Sequence, residues 1–113
     1  MSVHLSSQKI IKDWIDYNDH MNVAYYLLIF DKFGADNLNR IFKMGEESAK
    51  NTGMSTMIVE TNITYNQELK LDDEVDINLL YFDHDKKRLQ YKMEMINKKE
   101  GYLASTFEAL ALY

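Results

Sequence analysis

An α+β domain, an antiparallel sheet packed on a single long helix, is the fold class that the 113 residues predict. Two patterns carry this. Residues 22–43 contain no proline and only Gly34, and they open on Asn22, whose side chain is suited to cap a first helical turn. Further on, Val75, Ile77, Leu79 and Tyr81 alternate with Asp76 and Asn78, and Leu89, Tyr91, Met93 and Met95 alternate with Gln90, Lys92 and Glu94. Period two over both runs means strands with one buried face.

A short N-terminal strand precedes the helix. From Val23 to Phe30 the helix is apolar almost all round, then thins to Phe33, Ala35, Leu38, Ile41 and Phe42 among polar residues. A helix of that kind needs something wrapped around its first turns. Residues 46–53 are polar and bounded by glycines, and predict a turn of helix or a loop. A strand follows over Thr56 to Asn66, and the two alternating runs are joined by the short charged connection 83–88, as a hairpin would be. A last strand runs from Tyr102 to Tyr113 after a turn at 98–101. The order is strand, helix, then a four-strand meander. One sheet face and at least one edge stay uncovered, which predicts a homodimer or a dimer of dimers.

Composition bounds the rest. The length fits a single domain over residues 1–113, with 46% hydrophobic and 27% charged residues, as in ordinary globular proteins. Absence of cysteine excludes disulfides, thiolate nucleophiles and cysteine-based metal sites. The longest apolar run, Val23 to Phe30, is far shorter than the ~20 residues that cross a bilayer, and the N-terminus has no signal-peptide pattern. A cytoplasmic protein with no membrane partner is expected. A net charge of −5 argues against nucleic acid, whose binding depends on neutralising phosphates. No metal is expected, because His4, His20 and His84 lack ligand spacing.

Chemistry concentrates in Asp13-Trp14-Ile15-Asp16-Tyr17-Asn18-Asp19-His20-Met21-Asn22, directly before the helix. Carboxylates, amides and an imidazole beside unpaired helix amides suit reactions at a carbonyl. The stretch Asp16 to Asn22 with Tyr26 four residues on resembles the loop signature of the 4-hydroxybenzoyl-CoA thioesterase-like branch of the hotdog fold, in which the sheet curls around a central helix. Val59-Glu60-Thr61-Asn62-Ile63-Thr64-Tyr65 resembles that branch's central strand. Residues 83–89 with Asp13-Trp14-Ile15 are most similar to the betainyl-CoA thioesterase subgroup. One departure stands out: Asp19 occupies a position that is usually glycine, where a positive φ or close approach of ligand is needed. Aspartate enters the left-handed region more easily than most residues, but adds a carboxylate beside Asp16.

The resemblance implies hydrolysis of an acyl-CoA thioester, with Asp16 as general base or nucleophile. Read without it, Asp16 is a loop or helix cap. Backbone amides of Met21, Asn22 and Val23 would hold the oxyanion at the positive end of the helix dipole. His20 would orient the loop or donate to the carbonyl. Glu60 would be a second acid/base group, or a buried structural hydrogen bond, if its strand face meets the helix. One of Tyr25 and Tyr26 would line the acyl pocket, and Trp14, Tyr17, Tyr25 and Tyr26 would form an aromatic cage for a quaternary ammonium acyl group. Lys87 and Arg88, beside Lys86, would meet the phosphates of coenzyme A or simply be solvated. No cofactor is implied, coenzyme A being part of the substrate. The alternative is an inactive hotdog module that binds acyl groups or assembles with partners; hydration of an enoyl thioester is a third reading that residues 22–43 do not favour.

Overall fold

The structure, a computed structural model, describes residues 2–41 and 57–112, with side-chain burial for 2–40 and 57–112. The predicted loop at 46–53, helix residues 42–43, Thr56 and Tyr113 lie outside the described residues.

Strand β1 spans Val3–Lys9, and a single 3-10 turn, Lys12–Trp14, leads to the loop before the helix. Helix α1, Val23–Ile29, begins where predicted: Asn22 has extended backbone (φ −64°, ψ 143°) and its side chain accepts from the Ala24 amide at 3.0 Å. The helix then does something the spacing did not announce. Residues Phe30–Ala35 widen into a π turn before α2, Asp36–Ile41, resumes the ordinary pitch. Phe30, Gly34 and Ala35 are buried within it. Gly34 explains why a side chain is missing there: a Cβ on it would stand 2.7 Å from Met93 Sδ and 3.2 Å from Ile77 Cγ2. Helix backbone lies directly on the sheet at that point.

Four further strands follow: β2 Met57–Tyr65, β3 Glu74–His84, β4 Arg88–Asn97 and β5 Leu103–Leu112. All are antiparallel to their neighbours, in the order β1-β3-β4-β5-β2. The meander is therefore real for β3, β4 and β5 alone; β2 crosses to the far edge and pairs with β5, not β3.

Alternation places Val75, Ile77, Leu79, Leu89, Tyr91, Met93, Met95, Phe107, Ala109 and Ala111 on one face, where they meet the helix. Phe30 stacks on Phe107 with centroids 5.2 Å apart. Tyr81 breaks the expected pattern: a bulge after Leu79 pairs it with Lys92, so it turns to the outer face and is exposed, while Phe82 pairs with Tyr91. Each of the four neighbour pairings carries such an irregularity, a device that bends a sheet around what it covers.

Candidate active site

Residues 15–21 form a tight reversal. Ile15 bridges Met21, the Asp16 amide donates to the His20 carbonyl at 3.0 Å, and the Asp19 amide donates to the Asp16 carbonyl at 3.1 Å. Asp19 supplies the necessary left-handed residue, with φ 63°, so the turn closes with aspartate in a conformation that favours glycine. Asp16 and His20 thus face each other at the neck of the loop. One Asp16 oxygen, Oδ1, accepts from the Asn18 amide at 2.8 Å. Among the described residues Oδ2 has no hydrogen-bond or ion-pair partner, which leaves it able to accept a proton from water.

Two segments hold this loop. The Asn22 amide donates to the Trp14 carbonyl at 2.9 Å, and the Met21 amide to the Leu69 carbonyl at 2.8 Å. Both were expected to face the substrate oxygen, and both are spent on the loop's own scaffold. Of the three, only Val23, exposed at the first turn, keeps an amide without an acceptor among the described residues. The same connection between β2 and β3 sends up Glu68, whose Oε2 lies 2.8 Å from His20 Nε2. Glu68 escaped the sequence reading because nothing local links it to His20; the contact exists only after the chain folds.

The aromatic residues fall into separate groups. Trp14 is buried and stacks on Tyr25 at 6.1 Å with Phe33 beside it, while Tyr26 packs edge-on against Tyr65 at 5.2 Å. Tyr17 stands alone in solvent, 93% exposed. A four-residue cage is therefore not assembled within one chain. Burial pushes the Tyr26 phenol above its ordinary value, partly offset by a hydrogen bond from the Leu69 backbone, and its hydroxyl sits 3.5 Å from the Gln67 carbonyl.

Glu60 is also displaced from its expected place. Glu60 pairs with Leu110, in unbroken register with Asn62 and Thr64, and so lies on the outer face, opposite to Phe107; the bulge between Ile58 and Glu60 sets only Ile58 apart from that face. Its condition for burial, a face meeting the helix, is not met, and it is exposed.

Lys87 and Arg88 occupy the β3–β4 turn, with their amides and the Arg88 guanidinium bound to Asp85. These bonds hold the Asp85 carboxyl below its usual range, the Lys87 and Arg88 amides contributing most. With Lys86 and Leu112 they line a cleft of about 480 Å³. Arg88 pairs with Leu112 at the end of β5, whereas Glu68 meets Tyr102 just before β5 begins. Ten residues of strand separate the two ends by about 30 Å, so one chain does not bring this turn to the Asp16 loop. A nearer cleft, about 560 Å³, opens beside Glu68 and is lined by Gln67, Lys70, Asp73, Asn97, Glu100 and Tyr102 as well.

A curled antiparallel sheet of five strands laid over one long helix, with the reactive loop at the helix start, defines the hotdog class of thioesterase-like domains. Residues 11–113 match the thioesterase-like superfamily, and the chain belongs to it. It is 28% identical over 103 residues to betainyl-CoA thioesterase of Pseudomonas aeruginosa, covering 91% of this chain and 60% of that protein. The chain thus spans under two thirds of that relative's length. A Staphylococcus aureus protein solved in complex with CoA superposes with TM-score 0.82 at 29% identity, over 99% of this chain and 70% of the other. The 1,4-dihydroxy-2-naphthoyl-CoA thioesterase of Synechocystis superposes at 0.84 with 10% identity, over 99% and 81%, and shows the shared fold.

Proposed function

We propose that this protein hydrolyses an acyl-CoA thioester. The observation that carries the proposal is the Asp16–His20 reversal in a thioesterase-like chain: a carboxylate with one oxygen uncommitted, on a loop fixed at both ends, directly before a capped helix. Asp16 Oδ2 activates water for attack on the carbonyl, or attacks it directly. The oxyanion is met by the Val23 amide, at the positive end of the helix, because the Met21 and Asn22 amides are engaged elsewhere. Coenzyme A is part of the substrate and no further cofactor takes part.

The name of the P. aeruginosa relative supports a small polar or betaine-like acyl group. Coenzyme A as a substrate and a cysteine-free sequence fit the cytoplasm. Among the described residues no helix is long and apolar enough to cross a membrane. The working unit is a homodimer or a dimer of dimers, and only a second copy could bring Lys87 and Arg88 within reach of this site's ligand.

A colorimetric assay of thiol release over a panel of CoA thioesters tests the proposal, with trimethylammonium acyl groups compared against neutral groups of equal size. Asp16→Asn is expected to lower kcat by about 10²- to 10⁴-fold. Unchanged turnover in this variant would refute the role of Asp16, and no release from any thioester by the wild type would favour the inactive acyl-binding module instead.

A further inference from the structure

We infer that Glu68 is the positioning residue of His20: its carboxylate fixes the ring orientation and tautomer of the imidazole at the Asp16 loop. The geometry is direct. Glu68 Oε2 lies 2.8 Å from His20 Nε2, and next to this side-chain contact the Met21 amide donates to the Leu69 carbonyl, also at 2.8 Å. Two adjacent residues of the loop are thereby held to two adjacent residues of the β2–β3 connection.

Glu68 is itself held from behind. Its carbonyl accepts from the Tyr102 hydroxyl at 2.9 Å, and that oxygen accepts from Asn97 Nδ2 at 3.1 Å. Asn97 is 2% exposed, and its Oδ1 accepts from the Lys99 and Glu100 amides. Hydrogen bonds thus tie the Glu68 backbone, through the Tyr102 hydroxyl, to buried Asn97 at the end of β4, while the Glu68 carboxylate reaches the imidazole. The Glu68 backbone is thereby fixed at the edge of the loop, and its side-chain torsions alone remain to be ordered by the contact with His20.

The consequence for His20 is chemical. An ionised carboxylate only accepts, so the hydrogen of a neutral His20 resides on Nε2 and Nδ1 presents a lone pair. In that state His20 cannot donate to a thioester carbonyl from Nδ1; it accepts there, and becomes a donor at Nδ1 only as the imidazolium. Of the roles open to His20, orienting and accepting are the ones that Glu68 selects.

The inference rests on the thioesterase reading for its kinetic consequence alone, and the test separates the two. Nitrogen NMR of histidine-labelled protein, with the His20 signals identified by their loss in His20→Ala, reads the tautomer without substrate. The wild type is expected to show His20 as the Nε2–H form, and Glu68→Ala a shift toward a mixture of both tautomers. Ring-nitrogen signals of His20 that are the same in wild type and Glu68→Ala overturn the inference, whether or not any thioester is cleaved. In the thiol-release assay, Glu68→Ala is expected to lower kcat about two- to fivefold, the scale set by a partly exposed pair, with KM within about twofold. The same substitution in a His20→Ala background should change nothing more, and a loss there as large as in the wild type also overturns the inference, because Glu68 would then act on something other than His20. If the wild type cleaves no thioester, the functional proposal fails and the NMR result alone decides the role of Glu68.

Discussion

Asp19 and Glu68 show, at the scale of single residues, where the sequence is informative and where it is silent. A residue's own conformational limits can be read from its type, so aspartate at a glycine position implied a strained but accessible turn, and the φ of 63° is that turn. Asn22 is the same kind of case: a short polar side chain before an apolar helix, capping Ala24. Contacts between residues 48 positions apart, as from His20 to Glu68, carry no such local mark. The turn gives a prediction. Asp19→Val places a β-branched side chain at positive φ and should destabilise the fold by about 1–2 kcal/mol in denaturant unfolding, whereas Asp19→Gly should leave stability within about 1 kcal/mol of the wild type. Equal stability for the valine and glycine variants would mean that the loop relaxes to a different conformation.

Among the elements, those defined by periodicity were legible. β3 and β4 occupy nearly the residues their alternation marked, Glu74–His84 and Arg88–Asn97. Features set by one inserted residue were not: the π turn at Phe30–Ala35, and the bulges that send Tyr81 outward and part Ile58 from the face of Glu60, shift the phase of a pattern that otherwise looks regular. The edge strand β1 depends on polar ties that no periodicity records. Ser7 donates to Asp76 Oδ1 at 2.6 Å, and His4 Nε2 lies 3.2 Å from the same oxygen. The Ser7 hydroxyl chiefly, with His4 adding and burial opposing, holds the Asp76 carboxyl below its ordinary value. Folded protein therefore binds fewer protons at this site than the unfolded chain, so the stabilisation is present above the ordinary carboxylate range and disappears as pH falls through the lowered value. Asp76→Asn should cost about 1 kcal/mol at neutral pH, and its deficit against the wild type should shrink below about pH 4. Denaturant midpoints at pH 7 and pH 3 measure this, and a deficit independent of pH would assign the cost to packing instead.

For the whole molecule, uncovered edges were expected, but which edge matters depends on the crossing of β2 to the far side of β5, which alternation does not encode. The two edges differ in chemistry. β1 offers Ser6, Ser7, Gln8 and Lys9, the polar and charged surface that discourages strand addition. β2 has a single charged residue, Glu60, and exposes Met57 (66%), Ile58 (43%), Val59 (46%) and Tyr65 (50%). Val23 and Leu27, one turn apart on α1, are exposed as well, and Tyr26 of that helix packs on Tyr65 of β2, which joins helix and strand into one apolar surface. A monomer would leave a long unpaired strand and this surface in water together. Pairing of two copies through β2, the form of the proposed dimer that this surface favours, would cover both. Analytical ultracentrifugation at micromolar concentration should therefore give a mass at least twice the 13.3 kDa of the chain. Val59→Lys combined with Leu27→Lys sets like charges against each other across a two-fold axis and should return the species to 13.3 kDa, with the far-ultraviolet dichroism of the sheet retained. A wild type that sediments at 13.3 kDa would remove the dimer altogether, and an oligomer indifferent to both lysines would transfer the interface to the polar β1 edge or the outer face of the sheet.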